Sequence, residues 1–182
     1  SENRSYLLIH AHTPERKNDP EQFAFYVYDR NFEQIWKRQV RLPYPGKQFS
    51  VEDVQVDEQG NVYVLGVVYQ DGTRVRRQGK PNYQYVVIAY REQGENKVEY
   101  RVGLDDRFIT DLTFKVNRNG DIVCAGFYSD RGAYSVKGTY YMIIDGRNKE
   151  VLRQGMQAFD IGFLTTYLSE NKQQRAMEAQ RA

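Results

Sequence analysis

Apolar and polar residues alternate along much of the chain with the period of two that a half-buried strand imposes. The clearest case lies within residues 97–104, where Val98, Tyr100, Val102 and Leu104 alternate with Glu99, Arg101 and Gly103. Two other stretches, Val62-Tyr63-Val64-Leu65 and Ile122-Val123-Cys124-Ala125, are apolar at every position, as strands covered on both faces must be. Almost no helical period is present before residue 163, so the cover for these strands has to be other sheets.

The pattern repeats. Residues 49–66 align with 109–126, so that Gly60 matches Gly120 and Gly66 matches Gly126 at an offset of about sixty. Each copy reads as a strand, a tight turn ending in Gly60-Asn61 or Gly120-Asp121, and a second strand. Asp53 and Asp111 are closer together than that offset by two residues, a slip that preserves strand parity. Third strands are predicted at 23–28, 83–90 and 140–145, and fourth strands at 35–42, 97–104 and 150–156. The expected fold is therefore all-β, with antiparallel four-stranded units of about 60 residues at 1–47, 48–106 and 107–160 within a domain of residues 1–165. Stacked units of this kind predict a partial β-propeller, a two-layer sandwich being the alternative. Residues 6–12 align with second strands, so the first unit lacks its first strand, and residues 161–164 read as the opening of another unit. Residues 166–182 are rich in helix formers without an apolar stripe and predict a short exposed helix or linker with Ser169 as its N-cap.

Composition narrows the classes. With 26 Lys and Arg against 24 Asp and Glu, the formal charge of +2 supplies no field for nucleic acid. A hydrophobic content of 40% argues against disorder, and no run approaches the ~18 apolar residues of a membrane helix. The single cysteine, Cys124, forms no intrachain disulfide and is expected to be a buried thiol. A content of 15 Tyr and 9 Phe is the most distinctive feature.

The segments Ser50-Val-Glu-Asp53, Gly60-Asn-Val-Tyr-Val-Leu-Gly66, Pro81-Asn-Tyr-Gln-Tyr85, Phe108-Ile-Thr-Asp111, Ala125-Gly-Phe-Tyr-Ser-Asp130 and Lys137-Gly-Thr-Tyr-Tyr141 together resemble uncharacterised bacterial envelope proteins with β-propeller-like repeats. The resemblance spans most of residues 5–165. It implies a secreted, periplasmic or envelope-anchored product and brings no catalytic motif and no assigned ligand.

In stacked meanders the loops from second to third strand emerge at the same end as the links between units. Residues 70–82 and 129–139 would then join 43–48 and 105–107. This places Arg76, Arg77, Lys80, Tyr83, Lys137 and Tyr140 as candidate binding residues, with Arg74, Arg131, Tyr44, Tyr134, Asp105 and Asp106 nearby. Arg forks and Tyr rings suit a protein or glycan ligand, whereas the plainer reading is a set of solvated loops. Asp53 and Asp111 recur near the start of first strands, which favours backbone capping; a glycan hydrolase would instead use such carboxylates as acid and base at a channel mouth. His10 and His12 share a strand face, but no third ligand accompanies them at readable spacing, so neither metal nor cofactor is expected. No phosphate-binding loop or nucleophile elbow is present. Trp36 alternates with Val40 and Leu42 and reads as packing. The expectation is a non-catalytic binding or scaffold module of the bacterial envelope, self-associating if the chain is a fragment whose end units leave apolar faces open.

Overall fold

The computed structural model describes residues 6–13, 20–45, 48–70, 82–104, 107–130 and 136–160, together with 162, 163, 166 and 170. The described chain forms three antiparallel sheets. The first contains β1 (Leu7–Thr13), β2 (Pro20–Tyr28) and β3 (Gln34–Pro45). The middle sheet contains β4 (Phe49–Val56), β5 (Val62–Tyr69), β6 (Tyr83–Arg91) and β7 (Asn96–Val102). The last contains β8 (Arg107–Val116), β9 (Ile122–Asp130), β10 (Gly138–Ile144) and β11 (Val151–Ala158). In each sheet the strands pair in chain order. The expected C-terminal helix falls almost wholly outside the described residues.

Tight turns repeat at one end of every sheet. The Asp57 carboxylate accepts from the Gln59 and Asn61 N–H groups, and the Asn117 side-chain oxygen accepts from those of Asn119 and Asp121. Each turn passes through a glycine in the left-handed region, Gly60 at φ 80° and Gly120 at φ 85°. Asp29 holds the turn between β2 and β3 in the same way, through the Asn31 and Glu33 N–H groups.

The apolar runs of β5 and β6 are explained by a sheet buried on both faces. Tyr63, Leu65, Val67, Tyr85, Val87 and Ala89 pack against Leu112, Phe114, Ile122, Cys124, Tyr140, Met142 and Ile144 of the last sheet. Their neighbours Val62, Val64, Val86, Ile88 and Tyr90 pack against Phe23, Phe25, Val27, Trp36, Val40 and Leu42 of the first. The middle sheet is thus the filling of a three-layer stack, and among the described residues the stack does not close into a ring.

Close approach explains the other repeated glycine. A Cβ on Gly126 would lie 2.0 Å from the Asp111 carbonyl oxygen, and one on Gly66 would lie 2.0 Å from the Phe49 ring. Both glycines flank a bulge in the adjoining first strand, between Val51 and Asp53 or between Ile109 and Asp111. Asp53 pairs with Leu65 and Asp111 with Phe127, so the bulge of the last sheet lies two pairs nearer the long-loop end. That displacement accounts for the two-residue slip in the sequence repeat.

Polar bonds fix the stacking. Trp36 Nε1 donates to the Gly60 carbonyl at 2.9 Å, and Arg38 donates to the Gly94 carbonyl at 3.4 Å. At the next interface Arg91 and the Tyr100 hydroxyl donate to the Gly146 carbonyl at 2.7 and 2.6 Å. Each sheet therefore reaches into the tight turns of the one that follows. Gln55 Nε2 adds a bond to the Phe114 carbonyl at 3.0 Å, held in place by the Asp53 carboxylate at 2.6 Å.

Candidate binding groove at the long-loop end

The end opposite the tight turns carries the link from β3 to β4, the link from β7 to β8 and the loops from β5 to β6 and from β9 to β10. Between the middle and last sheets it opens into a groove of about 270 Å³. The lining comes from Gln70, Tyr83, Gln84 and Tyr85 on one side and from Leu104, Arg107 and Phe108 on the other. Backbone pairing sets its walls: the Gln70 N–H donates to the Asn82 carbonyl at 3.0 Å, and the Arg107 N–H donates to the Leu104 carbonyl at 3.3 Å.

The side chains are held firmly. The Tyr83 hydroxyl crosses to the last sheet and donates to the Ile109 carbonyl at 2.7 Å. Its ring stands edge-on to those of Tyr69 and Tyr85, with centroids 6.4 and 6.0 Å away. The Arg107 guanidinium lies 5.6 Å above the Tyr128 ring and pairs with Asp130, which Lys137 also approaches at 3.6 Å. Burial, followed by the neighbouring Tyr83 and Asp111, pushes the Tyr85 hydroxyl well above its usual range, so it stays protonated and acts as a hydrogen-bonding group.

Of the sequence candidates, Tyr83 lines this groove and Lys137 lies beside it through Asp130. Tyr140 is buried at 3% exposure, within the core between the middle and last sheets. Arg76, Arg77 and Lys80 lie outside the described residues, in a segment flanked by Gln70 and Asn82. Arg107 and Tyr85 were not singled out as site residues by sequence; the available signal was the position of Arg107 at the end of a link between units.

The recurrent carboxylates serve the bulges. Asp53 Oδ1 accepts from the Val54 N–H at 2.8 Å and Asp111 Oδ1 from the Leu112 N–H at 2.9 Å, each immediately after its register shift. His10 sits on β1 with its ring 6.3 Å from Phe23. Among the described residues no group of three or more His, Cys, Asp or Glu gathers as a metal site. The described groove lining offers amides, phenols and a guanidinium as hydrogen-bonding groups. The chain matches no protein-family model, no curated protein and no solved structure.

Proposed function

We propose that this chain is a non-catalytic binding or scaffold module of the bacterial envelope, built as a segment of a β-propeller-like stack with residues 166–182 as a helix or linker beyond it. The observation that carries the binding role is the groove in which Gln70, Gln84, Tyr83 and Arg107 present donors and ring surface. Such a lining suits a glycan or an extended peptide: sugar rings and peptide groups both offer hydroxyl or amide partners, and tyrosine supplies rigid amphipathic area. The secreted, periplasmic or envelope-anchored location draws its support from the resemblance of the repeat segments.

Calorimetric titration with soluble cell-wall glycan fragments and with short peptides tests the reading. Arg107→Ala and Gln84→Ala should each weaken binding about tenfold, the worth of one good polar contact, with Tm unchanged for Gln84→Ala and slightly lowered for Arg107→Ala, which also gives up Asp130 and the Tyr128 ring. Undiminished binding in both variants would remove the groove as the site. The rival reading, a glycan hydrolase using Asp53 and Asp111, requires that Asp→Asn changes abolish glycan cleavage while leaving stability intact.

A further inference from the structure

We infer that the open face of the last sheet docks on the open face of the first sheet of a second copy, so that the chain associates head to tail. The two open faces are, by strand position, the faces with which the middle sheet already binds its neighbours. Tyr63 and Leu65, which the last sheet covers, correspond sixty residues on to Val123 and Ala125. Leu65 pairs with Val87 as Ala125 pairs with Tyr141, which extends the match to the third strand. On this face Phe127 and Tyr141 are each 39% exposed, although Phe127 makes one ring contact with Phe159.

Polar positions match as well as apolar ones. Gln55, opposite Tyr63, donates across the interface to Phe114; its counterpart opposite Val123 is the exposed donor Lys115. Trp36, opposite Val27, donates to the turn of the following sheet; its counterpart opposite Ile143 is Arg153, exposed over the Tyr141 ring. The following sheet is what the last sheet lacks among the described residues.

The first sheet offers the complement. Its outward face carries Leu7 at 43% and Ile9 at 49% exposure, beside a hollow of about 450 Å³ whose floor includes Ala11 and Ala24. The hollow, which Tyr26, Lys37, Arg38 and Gln39 also line, gives this face a depression where Phe127 and Tyr141 give the other a projection. Asp29 and Glu33 lie in the first sheet's tight turn, at the end where Arg153 stands. Because the two patches differ, the contact is heterologous, and a dimer retains one free face of each kind, one on each copy.

Sedimentation velocity on the 182-residue chain tests this. The weight-average mass should rise with concentration beyond that of a dimer. Ile9→Arg spoils one face and Phe127→Arg the other, so each variant alone should lose every species above the monomer. Their equimolar mixture should recover a dimer and nothing larger. The exposed double charge reversal Lys115→Glu with Arg153→Glu repeats the test without touching an apolar residue, and far-UV circular dichroism checks that each variant keeps its strands. A wild-type chain that stays monomeric at every concentration overturns the proposal. So does a single variant that still associates like the wild type, because that requires a two-fold contact through one face.

Discussion

Two tyrosines buried to a similar degree carry hydroxyls in opposite circumstances. Tyr100 Oη donates to the Gly146 carbonyl and accepts from Arg91 at 2.7 Å, whereas Tyr140 Oη is buried with no partner among the described residues. Tyr140→Phe should therefore leave stability unchanged or raise it by up to about 1 kcal/mol, while Tyr100→Phe should cost about 1 kcal/mol by removing one of the two donors to the Gly146 carbonyl and one acceptor of the Arg91 guanidinium. Urea midpoints at a common m-value measure both, and equal losses would contradict the assignment. The burial of Tyr140 was hard to read in the sequence because it follows a loop, like Tyr83. Strand pairing decides it: Tyr140 lies opposite Gly126, the place Val86 holds opposite Gly66, and Val86 is core.

At the scale of the strand, the bulges and their carboxylates are the repeated device. Asp53 caps the backbone after its bulge and also braces Gln55, which crosses to the last sheet, whereas Asp111 faces the open side and caps only its own strand. Asp53→Ala should cost about 1–2 kcal/mol and Asp111→Ala less, read as the difference between their denaturation midpoints. Equal costs would mean that the Gln55 bridge contributes nothing. The strands themselves were legible because their signals are local: turn chemistry at Asp57 and Asn117, and unbroken apolar runs in β5 and β6. The bulges left only one trace, the two-residue slip between Asp53 and Asp111, since an extra residue changes the register without changing the alternation around it.

For the molecule as a whole, the phenols make stability depend on alkaline pH. Burial raises the pKa of Tyr63, Tyr85, Tyr90, Tyr100 and Tyr140 above the usual value near 10, and it raises the Cys124 thiol to about 12. The unfolded chain releases these protons first, so the folded state binds more protons above about pH 9 and stability must fall as pH rises through that window. Below the unfolded values this contribution is fully present. Ultraviolet titration should show these buried tyrosines ionising cooperatively, and only as strand structure is lost. A single smooth titration with the fold intact would refute it. At this scale the sequence revealed less: the neighbours of each sheet follow from which residues are apolar, but closure of a stack depends on the angle accumulated between layers, which no local pattern encodes. The turn glycines carry one further consequence. Their carbonyls receive Trp36 and Arg38 at one interface and Arg91 and Tyr100 at the next, so the lock is main chain while the key is whichever donor the preceding sheet supplies. Repeats held together this way are free to drift apart in sequence, keeping turn-glycine carbonyls such as those of Gly60, Gly94 and Gly146 while exchanging indole, phenol and guanidinium, and still stack alike.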